Sequence, residues 1–333
     1  MTKKTVAVGL LIKALVGLGL MTYLLSDLDL SRFIVTLRSA RLDYFLLALV
    51  AYLAGKLITA ARWALLARPL GFTNPLKDFV RFYYIGMFFN LFAPSTLGGD
   101  AGRVFYLSRS EREESSRHRA QGAALALISI LADRAIGLIV LIWAGAAGLL
   151  LFPQYASLIP RSLQLATFAL AAAPILGWAL FPLGDRLAAR IKLPLAQKLR
   201  GLAQAYRSRP GVLSQSIGLS LVFHLIQLWI QLIAGRALGF DIPWSYALVF
   251  FPMVDILSML PVSFSGIGLR EGGYLFFLGR LGVDAEQAVA CGTLWLAMLI
   301  ASGLIGGMVF ILQRGSTRRP PDRDRHADLK PET

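Results

Sequence analysis

The chain has one cysteine, three histidines and only 16% charged residues among 333, and each shortage closes off a class of protein. The single cysteine, Cys291, allows no intramolecular disulfide and no cysteine metal cluster. The histidines enter no HExxH pair and no Ser-His-Asp order, and there is no Walker loop, so the sequence offers no case for covalent catalysis. The start of the chain has Lys3 and Lys4 before an apolar run but no small-residue cleavage site, which predicts an uncleaved first span. A net charge of +15 is compatible with nucleic acid, but the basic residues fall between apolar runs rather than on one face. That distribution argues against nucleic acid and for anionic lipid headgroups at the cytoplasmic surface of a membrane.

Hydrophobic residues make up 56% of the chain, and the mean hydropathy is +0.62. Both exceed soluble norms, and the apolar runs are long enough to cross a bilayer. The expected fold is therefore an all-α polytopic membrane protein. Six spans are predicted, at 6–25, 44–61, 120–151, 162–181, 211–238 and 288–312. The polar stretch 26–43 predicts a turn and an interfacial helix. The basic stretch 184–209 repeats Leu195, Leu199, Leu202 and Tyr206 at helical spacing, which suits a helix lying on an anionic leaflet. Residues 1–313 form one membrane domain on this reading, and 314–333 a disordered cytoplasmic tail.

Two shorter apolar segments do not fit as spans. The first runs FFNLFAPSTLGGDAGR over 88–103, and the second LPVSFSGIGLREGG over 260–273. Each stops at a proline, passes small hydroxyl residues and glycines, and then delivers an arginine and a carboxylate. Broken backbone at bilayer depth is tolerated only where protein or a wet cavity surrounds it, so both read as re-entrant hairpins and as a candidate site. Counting Lys and Arg by segment, with the N-terminus inside, puts 24 on the inside and 6 outside, the other four lying within apolar stretches. This bias places both termini in the cytoplasm of a bacterial inner membrane. It also sends the two hairpins in from opposite sides, as an inverted repeat with halves at about 44–151 and 211–312 would.

Three motifs then carry a family resemblance. They are Arg62-Trp63 with Tyr84-x-Gly86-x-Phe88-Phe89-Asn90-x-Phe92-x-Pro94-Ser95-x-x-Gly98-Gly99-Asp100-x-x-Arg103, then Asp133-Arg134-x-x-Gly137, and finally Pro261-x-Ser263-x-x-Gly266-x-Gly268-x-Arg270-Glu271-Gly272. Their order over residues 5 to 313 resembles the flippase-like family, the membrane domain of lysylphosphatidylglycerol synthases and its stand-alone relatives. The resemblance implies lipid movement between leaflets. Full-length synthases of that family carry a soluble catalytic domain after the membrane part, whereas this chain ends about twenty residues after its last apolar run. That difference argues against lipid aminoacylation.

The charges can be weighed on their own. An Arg or Asp at the centre of a span costs about 2.5 to 3.5 kcal/mol on insertion scales, so Asp133 and Arg134 need partners. Adjacent helical residues diverge by about 100° and cannot share one. The scheme that follows pairs Asp133 with Arg103 or Arg270, and Arg134 with Asp100 or Glu271. The bland reading is that these pairs only pin hairpins to a bundle. The functional reading is that they line a pathway. The glycines Gly98, Gly99, Gly266 and Gly268 serve as turn formers on the bland reading, and on the functional one expose backbone N–H groups to a phosphate. Gly266-x-Gly268-x-x-x-Gly272 lacks the spacing and the strand of a dinucleotide loop. The pair Asp27 and Asp29 sits at a loop edge, where aspartates are simply solvated. His224, Gln227 and Gln231 share a helix face and predict interhelical hydrogen bonds.

The reading that results is a non-enzymatic carrier of an anionic phospholipid or lipid-linked headgroup. Its site would be drawn from Asn90, Pro94, Ser95, Gly98, Gly99, Asp100, Arg103, Asp133, Arg134, Ser263, Gly266, Gly268, Arg270 and Glu271, with no metal and no cofactor. Two alternatives stand beside it: a membrane-embedded transferase with Asp133 or Glu271 as general base, and a non-catalytic partner of a separate lipid enzyme.

Overall fold

The computed structural model describes residues 3–92, 97–110, 116–190, 204–260, 262–263 and 266–316. Among these the chain is helical, with no strand. The helices are α1 Lys3–Ser26, α2 Leu30–Arg38, α3 Leu42–Ala67, α4 Leu76–Phe92, α5 Leu97–Ser110, α6 Ser116–Leu151, α7 Arg161–Arg190, α8 Pro210–Ala237, α9 Trp244–Met259, α10 Leu269–Gly279 and α11 Ala285–Ser316. Five stretches are long and apolar enough to cross a membrane, in α3, α6, α7, α8 and α11. A sixth is reached if α1 and α2, bent by 101° at their junction, are taken as one. This is the all-α polytopic membrane architecture that the composition predicts.

Local chemistry sets the boundaries. Asp29 ends the first apolar run and caps α2, its carboxylate accepting from the N–H groups of Ser31 at 2.9 Å and Arg32 at 3.1 Å. The polar stretch after the first span therefore holds a short helix, which buries Phe33 and leaves Arg32 exposed. Helix α7 continues through Pro174 and Pro182. Helix α11 continues three residues past position 313, to Ser316, so the expected tail begins later than predicted, and its remainder lies outside the described residues. Most of the expected amphipathic helix at 184–209 also lies outside them. Tyr206, from that stretch, donates its hydroxyl to the Leu66 carbonyl at 2.8 Å, and burial raises its pKa, which keeps it a donor.

Helices α3 and α8 form the most extensive contact in the molecule, and the other packing falls into matched sets around it. Helix α4 packs on α11 as α9 packs on α6. Helix α5 packs on α6 as α10 packs on α11. Helix α3 touches α4 and α6 as α8 touches α9 and α11. Exchanging α3 with α8, α4 with α9, α5 with α10 and α6 with α11 thus reproduces the packing pattern and maps the central α3–α8 contact onto itself. One apolar core surrounds each helix–break–helix element: Trp63, Phe79, Phe82, Leu107 and Ile130 in the first half, and Tyr246, Phe250, Tyr274 and Phe277 in the second.

Candidate functional site

The first half brings four charged residues from three helices into one buried knot. Helix α3 runs to Ala67, six residues past the end expected from the apolar run, and so carries Arg62 into the interior with only 5% of its surface exposed. Its Nε donates to Asp133 Oδ1 at 2.7 Å and its Nη1 to Ser220 Oγ at 2.7 Å. Asp133 also faces Arg103 at 3.8 Å. Arg103 reaches Asp100, one turn earlier on α5, at 3.4 Å. Its guanidinium lies between the rings of Tyr83 at 3.9 Å and Trp63 at 4.5 Å, cation–π contacts that strengthen out of water. The Trp63 indole in turn donates to Ser129 Oγ at 3.0 Å. Arg134, on the more open side of α6, pairs with Asp100 at 2.5 Å.

Both expected pairings are present, with one addition. Arg134 does pair with Asp100, and Asp133 does face Arg103, but the tighter partner of Asp133 is Arg62, which reads in sequence as a loop cation. Moving Arg62 and Arg103 out of the loops leaves 22 inside cations against 6 outside. The glycines also need correction. Gly98 and Gly99 lie in the first turn of α5 rather than in the break, and the Gly99 N–H donates to Asn90 Oδ1 at 2.8 Å. Pro94 and Ser95 lie outside the described residues.

The second half places Ser263, Gly266, Gly268, Arg270 and Glu271 at the start of α10. Gly266 and Gly268 have φ of +78° and +81°, so both do form the turn, in a conformation that disfavours a side chain. The Gly268 N–H donates to Glu271 Oε2 at 2.7 Å. The N–H groups of Gly99 and Gly268 are thus engaged by the protein's own side chains and are not held open for a phosphate. Glu271 is fully buried, and its Oε1 has no hydrogen-bond partner among the described residues; nor does the Ser263 hydroxyl. Arg270 is buried and stands in the field of Asp255 on α9.

Between the two sets lie residues that the sequence alone does not place in the site. Lys56 sits at the α3–α8 contact, its ammonium 4.2 Å from the Tyr52 ring centre and 5.0 Å from that of Phe223. It interacts electrostatically with Tyr83 of the first hairpin and with Asp255 of the second. Along α8 a polar stripe crosses the same region. Ser220 holds Arg62, His224 Nε2 donates to the Gly137 carbonyl at 2.9 Å, and Gln231 Oε1 accepts from the Tyr274 hydroxyl. The predicted interhelical bonds of His224 and Gln231 are both present. Tyr83, Lys56 and Asp255 form an electrostatic chain between Arg103 and Arg270.

These features define a polytopic helical membrane protein whose buried charges gather between two helix–break–helix elements. The chain belongs to the family described as Lysylphosphatidylglycerol synthase TM region, which it matches over residues 10–307. It is also similar to a UPF0104 membrane protein of Methanocaldococcus jannaschii, with 32% identity over 111 residues. That match covers 33% of this chain and 31% of the relative. No solved structure matches the chain.

Proposed function

We propose that the protein carries an anionic phospholipid or lipid-linked headgroup between membrane leaflets, along the charged groups between its two hairpins, while the acyl tails stay in the bilayer. The observation that carries this reading is the set of Lys56, Arg62, Arg103, Arg134 and Arg270 gathered with Asp100, Asp133, Asp255 and Glu271 inside a membrane protein. Charges within spans are costly and mark pathways by default. The matched packing of the two halves supports the second part of the reading, an inverted repeat in which one half rocks against the other around a fixed site. The family is itself described as the membrane region of a lipid enzyme. The test is reconstitution of the purified protein in liposomes. Leaflet exchange of an anionic lipid with no change in lipid composition supports a carrier, whereas conversion of the lipid would make the protein a transferase.

On this reading the chain lies in the bacterial inner membrane with both termini and the 184–209 stretch cytoplasmic and the 26–43 and 153–161 stretches outside. Single cysteines introduced into a Cys291→Ser background should be labelled from outside intact cells in the latter two stretches alone. Labelling within 184–209 would reverse the orientation.

A further inference from the structure

The charged groups between the hairpins are not equally occupied. Arg62, Arg103 and Arg134 each have a carboxylate within salt-bridge reach, at 2.7, 3.4 and 2.5 Å. Two of the four carboxylates, Asp100 and Asp133, are committed to those three arginines. Glu271 is turned onto the Gly268 N–H. Among the described residues, Asp255 faces both remaining cations, Arg270 and Lys56, and it forms no direct salt bridge with Lys56. Five cations thus meet four carboxylates, and among the described residues Lys56 has no carboxylate within salt-bridge distance, its close contacts being the Phe223 ring and the Tyr52 side chain, which also hydrogen-bonds with it.

The position of Lys56 is equally distinctive. It lies fourteen residues from Leu42 and eleven from Ala67, so about 21 and 16 Å from the ends of α3, close to mid-membrane if α3 spans. It stands on the α3–α8 contact that the exchange of halves maps onto itself, with one hairpin on each side. Tyr52 and Gly55 beside it are buried, yet Lys56 keeps partial exposure, as does Asp255. An ammonium is a compact, strongly hydrated point charge, and rings brace it without neutralising it.

We infer that Lys56 is the station where the phosphate group of the headgroup rests midway between the leaflets, and that Asp255 is the counter-charge it displaces. This rests on the carrier reading above. It differs from a site built on the hairpin arginines alone, because Arg62, Arg103 and Arg134 each already have a carboxylate partner and so flank the station rather than form it.

The experiment titrates the full chain and three variants, Lys56→Gln, Lys56→Arg and Asp255→Asn, in detergent micelles. The probes are short-chain phosphatidylglycerol, short-chain phosphatidylcholine and inorganic phosphate. Intrinsic fluorescence of the six tryptophans, among them Trp295 edge-on to Tyr52 at 5.8 Å, reports binding, and a thermal midpoint is recorded for each variant. Lys56→Gln should weaken phosphatidylglycerol binding about tenfold or more, Lys56→Arg should recover part of it, and Asp255→Asn should tighten it. Phosphatidylcholine, which carries the same phosphate beside a choline cation, should follow the same order with smaller changes. Inorganic phosphate that fails to compete assigns the station to a lipid headgroup; competition with the same dependence on Lys56 would assign it to a free phosphate. If the wild type binds phosphatidylglycerol and both Lys56 variants bind it equally well, the station is refuted while the carrier reading survives. Weaker binding by Asp255→Asn would also refute it, since that outcome marks a structural pair. If the wild type binds no anionic lipid, the carrier reading itself fails.

Discussion

Asp133→Ala is expected to cost about 3–5 kcal/mol of stability, the larger share of it from guanidinium left without a partner. Asp133 is 2% exposed and serves two cations, Arg62 at 2.7 Å and Arg103 at 3.8 Å. Removing it strands both inside the protein, with Arg62 keeping only its bond to Ser220 and Arg103 keeping Asp100 and its two rings. Arg62→Ala should cost less than Asp133→Ala, because it leaves Asp133 still facing Arg103. The double variant should then lose clearly less than the sum of the singles, with a coupling of about 1–3 kcal/mol for groups in one network. Unfolding midpoints in a single detergent, followed by tryptophan fluorescence, give the three differences. Strict additivity would mean that the two residues do not act as a pair.

Gly306→Ala is expected to lose about 3 kcal/mol or to fail to assemble, although alanine is the better helix former. A Cβ at Gly306 would stand 2.1 Å from the Tyr84 carbonyl oxygen, and one at Gly303 would stand 2.5 Å from the Leu91 side chain. Leu91 can rotate, but a backbone carbonyl can yield only if α4 and α11 move apart. Separating them would shift the hairpin that carries Asp100 and Arg103. Gly177 and Gly218 lie in helices where an added Cβ would meet no atom within 4 Å, so their change to Ala should be neutral or stabilising by up to about 1 kcal/mol. The opposite signs separate close packing from helix propensity in one set of midpoints. A Gly306→Ala protein as stable as the Gly177→Ala protein would contradict the α4–α11 packing.

The spans were legible because lipid demands long apolar runs, and the two breaks because each joins a proline to glycines within such a run. What the sequence obscured was depth at the ends of helices. Arg62 follows an apolar run directly and reads as a loop cation, yet α3 continues beyond it because Trp63, Ala64 and Ala67 bury their side chains against the first hairpin's core. Lys56 is visible in sequence as an interruption of its span, without any sign that it faces the centre. Asp255, inside FFPMVDILSML, meets the same criterion as Asp133 but is missing from the charge scheme drawn from sequence. The pairing itself was only partly legible, since spacing shows which residues share a helix face but not which helices touch. Gly99 is the complementary case: a glycine beside a break reads as a turn, and its N–H proves to be bound by Asn90 inside a helix.

Whether the buried charges form a lipid pathway or only a clamp between helices is decided most directly by one rate. That rate is the leaflet exchange of a fluorescent anionic phospholipid in liposomes holding equal amounts of the folded wild type or Asp133→Asn. The substitution keeps size and hydrogen-bonding capacity and removes one charge. A pathway predicts that the wild type accelerates exchange and that Asp133→Asn loses the acceleration at an unchanged level of insertion. Full exchange activity in folded Asp133→Asn protein would contradict it.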